Sequence, residues 1–327
     1  MQRRTILRAA ALPAVLAAPA LYAQQGGQRS FATRPIRIIV GVAPGIGTID
    51  LTGRAVADPM AEALGQPVVV ENRPGAGGII AAEAAARSAP DGHTLFLGGA
   101  DTVVHAFLLA DRPPLDPFKD FTPVSRATKD HWLVVATPSL GVSTLDELAA
   151  AGKQKAGELN HASFGPGTVF HLVQARLAQR LGFEAVHVPY RGDYTSDVLA
   201  GRISYLVQPS ALLLPHVQAG KLKALATLSP QRLPQLPDVP TVAEAGYPDL
   251  GFNMGIILWA PGGTPPDIVG QVNAAFARAA GNPAVKSRLG DLSLETVGGT
   301  VPEAQEYTRW FVGFVDDLRE KVLGKAR

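Results

Sequence analysis

Hydroxyl side chains and glycines that could bind an anion occur in two short segments of the chain. In the first segment, Ser163 and Thr168 flank Gly165 and Gly167, and a helical pattern that carries His171 follows. The first turn of a helix has backbone N–H groups without intrahelical partners, and such groups bind carboxylates and phosphates. The segment therefore predicts an anion-binding loop. Ser163 or Thr168 could also cap the helix, and the two roles are compatible.

The second segment joins a predicted strand to a predicted helix. It consists of Pro44, Gly45, Ile46, Gly47 and Thr48, and Asp50 follows after one further residue. A strand, loop and helix in this order again bring backbone N–H groups and the positive end of a helix to one place. The alternative is that Gly45 and Gly47 only turn the chain.

Enzyme motifs are missing from the sequence. No G-x-S-x-G nucleophile elbow occurs, and the seven histidines stand singly, without an H-E-x-x-H pair. The glycines from Gly75 to Gly78 lack the lysine of a phosphate-binding GxxxxGK[ST] loop. We therefore predict no catalytic residue, no metal and no cofactor, with His171 and His187 in packing or hydrogen bonding. An exported hydrolase is the enzymatic alternative.

The N-terminus has the pattern of an export signal. Arg3 and Arg4 precede an apolar run from residue 9 to residue 20, which is shorter than the roughly 20 residues of a spanning helix. Residues 1–23 are predicted to be a signal peptide, cleaved after Ala20 or Ala23, and the protein to be periplasmic. The paired arginines also resemble a twin-arginine signal, so both export routes stay open.

Composition excludes several kinds of partner. The 327 residues are 46% hydrophobic and 18% charged, as in folded proteins, and loss of the three arginines in residues 1–23 lowers the net charge from +2 to −1. A near-neutral body predicts no binding of nucleic acid and no insertion into a membrane. The absence of cysteine excludes disulfides and a lipidated N-terminal cysteine. We expect a soluble monomer.

Short apolar runs alternate with helical patterns along most of the chain. Ile36 to Val40, Val68 to Val70 and Thr94 to Leu97 are predicted strands, and helices follow the first two. A second alternating unit begins near His131, and the chain ends in helices. This order predicts an α/β protein with doubly wound parallel sheets, in which ligands bind at the carboxyl ends of the strands.

Several motifs appear in a characteristic order over nearly all of the chain after the leader. They are Arg34-Pro-Ile-Arg-Ile-Ile-Val40, Ala43-Pro-Gly45, Gly65-Gln-Pro-Val-Val-Val-Glu-Asn-Arg-Pro-Gly-Ala-Gly-Gly78, Pro90-Asp-Gly-His-Thr-Leu95, Leu115-Asp-Pro-Phe-Lys-Asp-Phe-Thr-Pro-Val124, Ala162-Ser-Phe-Gly-Pro-Gly-Thr168, His187-Val-Pro-Tyr-Arg-Gly192, Ala219-Gly-Lys-Leu222, Leu236-Pro-Asp-Val-Pro-Thr-Val-Ala-Glu-Ala-Gly246 and Ala260-Pro-Gly-Gly-Thr-Pro265. The sequence thereby resembles the Bug family, the substrate-binding receptors of tripartite tricarboxylate transporters.

The resemblance implies a two-lobed periplasmic binding protein, type II-like, with the ligand in the cleft between the lobes. Lobe 1 is expected to comprise residues 32–128 and 252–327, and lobe 2 residues 129–251. It also implies that the protein binds a small carboxylate and delivers it to integral-membrane transporter subunits, without catalysis. A periplasmic sensor subunit with the same fold is the alternative.

The resemblance adds two further segments to the expected ligand site. These are the loop with Gly99, Ala100, Asp101 and Thr102, and the turn with Arg191, Gly192 and Asp193. Asp101 stands where a small residue is expected. Its carboxylate could favour a ligand with an amino group or a neutral end, or it could cap a helix or face solvent. Arg191 could bind a distal carboxylate or be solvated.

Three local features depart from the family pattern or modify the expected site. Ile49 is inserted before Asp50, and the segment from Tyr190 to Asp197 is about two residues short. Ile46 and Phe164 could make the ligand pocket more apolar. Citrate, dicarboxylates, amino acids and aromatic acids all stay open as ligands.

Overall fold

Short runs rich in valine, isoleucine and leucine form the strands of the computed structural model, which describes residues 30–45, 47–108, 113–190, 192 and 194–324. The strands are β1 (Ile36–Val40), β2 (Val68–Asn72), β3 (Thr94–Gly99), β4 (Phe121–Arg126), β5 (Thr128–Asp130), β6 (Trp132–Ala136), β7 (Asn160–Ser163), β8 (Val186–Pro189), β9 (Tyr205–Pro209), β10 (Lys223–Thr227), β11 (Ile256–Pro261) and β12 (Leu294–Thr296). The predicted signal peptide lies outside the described residues.

Amphipathic segments between and after the strands form the helices. They are α1 (Gly47–Leu64), α2 (Ile79–Ala86), α3 (Ala100–Leu108), α4 (Leu145–Gln154), α5 (Val169–Leu181), α6 (Thr195–Leu199), α7 (Ser210–Gln218), α8 (Pro266–Gly281), α9 (Pro283–Gly290) and α10 (Val301–Leu323). Thr144 and Thr168 cap α4 and α5 through their side chains. None of the helices in the described part of the chain has both the length and the apolar character needed to cross a bilayer.

The first sheet has the strand order β2-β1-β3-β11-β4. β1 runs parallel to β2 and β3, whereas β11 runs antiparallel to both β3 and β4. The predicted α/β fold with helix-flanked sheets is confirmed, but the predicted parallel orientation is wrong for β11 and β4. The chain leaves this sheet through β4 and returns to it through β11, so these neighbouring strands must run in opposite directions, while parallel neighbours need a crossover connection.

The second sheet has the order β10-β6-β9-β7-β8 and is also mixed. β7 is parallel to β8 and β9, and β6 is antiparallel to β9 and β10. All strands of this sheet come from residues 132–227, between β4 and β11 of the first sheet. Each sheet is thus built from its own part of the chain.

The C-terminal helices return to the first sheet. Val272 and Phe276 of α8 share an apolar cluster with Met60 of α1 and Leu258 of β11. Helix α10 begins with a capping box between Thr300 and Glu303. Its buried face belongs to a second apolar cluster, which contains residues of both sheets.

Candidate ligand-binding site

The loops after β1 and β2 touch each other and the first turn of α3, which directly follows β3, at the carboxyl edge of the first sheet. A Cβ atom on Gly41 would lie 2.5 Å from the Cα atom of Gly78, so this approach requires glycine. On Gly78 a Cβ atom would lie 3.1 Å from Cγ2 of Thr102, whose Oγ1 donates to the carbonyl of Gly77 at 3.4 Å. Thr102 thus lies beside the two preceding loops, as a shared ligand site requires.

Asp50 supports the first of these loops from behind. Its side chain is 0% exposed and accepts hydrogen bonds from Gly45 N–H at 2.8 Å, Arg54 Nε at 2.8 Å and Asn72 Nδ2 at 2.7 Å. Burial opposes ionisation, but these hydrogen bonds outweigh it and lower the pKa of Asp50. With its oxygens taken by the chain, Asp50 shapes the loop instead of lining it. Arg54 and Asn72, which donate hydrogen bonds to Asp50, were not predicted from the sequence. The i,i+4 spacing of Asp50 and Arg54 is a pattern that indicates such an ion pair.

The predicted loop from residue 44 to residue 48 is shorter than expected. Pro44 and Gly45 are exposed turn residues, whereas Gly47 and Thr48 already belong to the first turn of α1. Gly47 has a φ of 76°, which L-residues with a side chain adopt only under strain. The N–H groups at the start of α1 therefore lie within this segment. Ile46 lies outside the described residues.

The expected loop from residue 99 to residue 102 is not a loop. Strand β3 includes Gly99, and α3 begins at once with Ala100, whose N–H donates to the carbonyl of Gly255 at 3.1 Å. A Cβ atom on Gly99 would lie 2.2 Å from Oδ1 of Asp101, so only glycine at 99 leaves room for this carboxylate. This direct passage from strand to helix packs the Asp101 carboxylate against the backbone at the end of β3.

The side chain of Asp101 is half-buried, so its carboxylate does not face solvent freely. Burial raises its pKa to about 6, although N–H groups at the start of α3 partly compensate. Burial also raises the pKa of Asp130 to about 6, with a hydrogen bond from Thr128 opposing the shift and the charge of Asp101 adding to it. Two carboxylates therefore lie near each other where the chain passes between the sheets.

The loop after β7 is closed by its own side chains. Thr168 caps α5 by accepting the N–H of His171 at 3.2 Å, and its Oγ1 donates to the carbonyl of Gly165 at 2.8 Å. Ser163 is buried, accepts the N–H of Gly165 at 3.1 Å and contacts Nε2 of His187 at 2.7 Å. The predicted capping by Thr168 is confirmed. This arrangement fixes the loop directly before the free N–H groups of the first turn of α5.

Three histidines stack beneath this loop. His161 and His187 are register partners on β7 and β8, and the ring centroids of His171 and His187 lie 4.1 Å apart. Burial, with repulsion between the rings, lowers the pKa of His161 to about 3 and that of His171 to about 4. All three pKa values lie below the ordinary range, so the imidazoles are neutral at pH 7. Among the described residues, no group of three or more His, Asp or Glu side chains is arranged to hold a metal ion.

The predicted turn from residue 191 to residue 193 is described only in part. Gly192 is exposed, while Arg191 and Asp193 lie outside the described residues. Beside it, Tyr194 at the start of α6 packs on Phe164 with ring centroids 5.2 Å apart. Gln208, at the end of β9, is buried behind these rings. Tyr194 and Gln208 carry no sequence signal of a site, because single aromatic or amide residues at element ends are common.

The chain forms two mixed β-sheets that are flanked by helices, and loops that contain glycine follow strands of both sheets. This is the architecture of a periplasmic solute-binding protein. The profile of the tripartite tricarboxylate transporter family receptors matches residues 52–322. The chain belongs to this family, and the predicted resemblance to the Bug receptors is confirmed.

Relatives and solved structures agree with this membership. Protein BugT of Bordetella pertussis is 34% identical over 302 residues, which cover 91% of this chain and 90% of BugT. The structure of MatC from Rhodopseudomonas palustris, solved with bound malate, is 33% identical with a TM-score of 0.77 and covers 88% of this chain and 99% of MatC. A second R. palustris protein, solved with adipate, is 29% identical with a TM-score of 0.79 and covers 89% of this chain and 98% of that protein.

Proposed function

We propose that this chain is a periplasmic receptor that binds a small carboxylate and delivers it to the membrane subunits of a tripartite transporter. The main support for this proposal is that a loop of each sheet leads directly into the first turn of a helix, α1 in the first sheet and α5 in the second. Both loops contain hydroxyl side chains and glycines. Relatives of the same fold were solved with malate and adipate, which are carboxylates.

The two sheets support a division into lobes at residues 32–128 with 252–327 and at residues 129–251. The chain passes between them twice, next to Asp130, whose N–H donates to the carbonyl of Met254 at 2.7 Å. Two adjacent passages suit a hinge, about which lobes close on a ligand. Closure would then mark the loaded state for the transporter.

The proposed carboxylate contacts are backbone N–H groups at the starts of α1 and α5, together with the hydroxyl of Thr48. Thr168 gives its hydroxyl hydrogen to Gly165, so it holds the loop before α5 in the shape that presents these N–H groups. Helix N-termini attract anions because the unpaired N–H groups and the helix dipole both favour negative charge. Residues 44–48, 99–102, 163–168 and 191–193 are the segments proposed to surround the ligand. No proton transfer or bond cleavage is required of them, so binding is the whole activity.

A pair of threonine variants tests the α5 contact. Thr168→Val and Thr144→Val each remove a side-chain helix cap, and each should cost about 1 kcal/mol of stability. Only Thr168 lies in the proposed site. We expect Thr168→Val to weaken binding of the best small carboxylate about tenfold or more by calorimetry, and Thr144→Val to leave it unchanged. Equal affinities of the two variants would refute the contact.

A further inference from the structure

An apolar pocket lies beside the loop from residue 163 to residue 168, between β9, α6 and α7. Its open space measures about 440 Å³ when the solvent at its mouth is included. Most of its lining is aliphatic or aromatic, with polar side chains at Gln208 and His216, and the apolar part includes Phe164, Tyr194, Val198, Leu206 and Leu212. Among the described residues of the segments predicted from the sequence, Phe164 alone reaches this pocket.

One buried polar atom of the lining has no partner. Gln208 is 3% exposed; its Nε2 atom donates to the hydroxyl of Tyr194, while its Oε1 atom has no hydrogen-bond partner among the described residues. Exchanging the two amide atoms would leave the nitrogen unpaired instead, so one amide position is unsatisfied in either assignment. Buried polar groups are nearly always paired, and this oxygen is covered by its neighbours, so a ligand group can pair with it once the side chains of the pocket move apart.

The rim of the pocket is apolar and open to solvent. Phe164 and Leu212 are each 49% exposed, although large apolar side chains are normally buried in a protein core. Phe164 stands between Ser163 and Gly165 of the proposed carboxylate-binding loop, and its ring packs edge-on against Phe170 with centroids 5.2 Å apart. The pocket therefore opens next to the place where a carboxylate would be held.

We propose that this pocket receives the apolar part of the ligand whose carboxylate binds at the start of α5. The ligand class is a small carboxylate with a ring or branched alkyl body that ends in a hydrogen-bond donor, such as a phenol, directed to Gln208. This inference rests on the proposed function. A ligand hydroxyl would supply the hydrogen bond that Gln208 lacks, and the body of the ligand adds apolar contact with the walls.

The test is a calorimetric comparison of acids that share a carboxylate. The purified protein is titrated with succinate and with 4-hydroxybenzoate, 4-hydroxyphenylacetate and 3-(4-hydroxyphenyl)propionate, each beside its analogue without the hydroxyl. We expect the best phenolic acid to bind about tenfold more tightly than its analogue, as one hydrogen bond to a buried acceptor provides. Gln208→Met should abolish that difference.

A variant that fills the pocket distinguishes ligand contacts in the pocket from contacts at the carboxylate site. Leu212→Trp should fill the pocket mouth and weaken the phenolic acids about tenfold or more, while any affinity for succinate stays within about twofold. Leu323→Trp, at an equally exposed leucine (53%) at the end of α10, is the matched control and should change neither. If the wild type binds succinate but gains nothing from the aromatic acids, or if Leu212→Trp has no effect, the pocket assignment is overturned. If no acid binds, the proposed function fails with it.

Discussion

The Nδ1 atom of His171 accepts the backbone N–H of Gly167 at 3.1 Å, which ties the loop before α5 to the first turn of that helix. This bond requires a neutral imidazole with its proton on Nε2. Burial and the neighbouring His187 supply that state by keeping the pKa of His171 at about 4. The shape of the proposed carboxylate loop therefore depends on a histidine that does not itself have to touch the ligand.

The histidine stack should make the protein sensitive to acid. Because the pKa values of His161 and His171 are lowered to about 3 and about 4, the unfolded chain takes up protons first as the pH falls below about 6.5. The contribution of these two histidines to stability is then complete above that pH and is lost towards pH 4. His161→Phe should reduce the slope of melting temperature against pH between 6.5 and 4. His216→Phe, outside the stack, should keep the wild-type slope, and equal slopes in all three proteins would contradict the account.

The Asp50 network should be important for stability as well as for the loop. Asp50→Ala leaves Arg54, Asn72 and Gly45 without their shared acceptor, so we expect a loss of about 2–4 kcal/mol in the free energy of unfolding. Glu83→Ala breaks an i,i+4 ion pair of the same 2.8 Å length, with Arg87, on the solvent-exposed face of α2. It should leave the melting temperature almost unchanged. Denaturant unfolding of both variants checks this, and similar losses in both would count against the proposed role.

The carboxylate of Asp101 should lower stability at neutral pH. With its pKa raised to about 6, the folded state resists ionisation, so stability is lost as the pH rises from about 4 to 6. Asp101→Asn should therefore stabilise the protein by about 1–3 kcal/mol at pH 7.5 and by nothing at pH 4. Melting curves at the two pH values measure this. A variant that is no more stable than the wild type at pH 7.5 would show that the carboxylate is well solvated.

The close approach of the loops after β1 and β2 predicts that a side chain at Gly41 lowers the stability of the protein. A methyl group on Gly41 would lie 2.5 Å from the backbone of Gly78, so Gly41→Ala should lower stability and displace both loops. Gly270→Ala is the control, because it lies inside α8 with nothing within 4 Å of the added methyl group. It should raise stability by about 0.5–1 kcal/mol. Gly41→Ala with unchanged stability and ligand affinity would mean that the loops adapt freely.

Much of this fold follows from local sequence pattern, and the errors arise where distant segments meet. The strands that begin at Ile36, Val68 and Thr94 were predicted within two residues, because apolar runs and turn residues mark them. The antiparallel orientation of β11 was not predicted, because it depends on where the chain crosses from one sheet to the other. Short α3 was missed because Gly98 and Gly99 resemble a turn, and only the contacts of Ala100 with Gly255 show otherwise.

The same limit applies to the candidate site. Thr168 as a helix cap followed from its position before a helical pattern. The burial of Asp50 behind its loop and the unpaired amide of Gln208 are tertiary facts, since each depends on partners from other elements. A sequence pattern can place a residue at a strand end, but not decide which of its neighbours satisfies its polar atoms.

The most direct test of the receptor assignment is calorimetry of the protein, unfolded and refolded to remove any bound ligand, against paired acids and methyl esters. The pairs cover small mono-, di- and tricarboxylates, amino acids and aromatic acids. We predict that one class of acids binds with a dissociation constant of micromolar order or below and that its esters bind at least about tenfold more weakly. Binding of an ester as tightly as its acid, or of no acid in the panel, would contradict a carboxylate receptor.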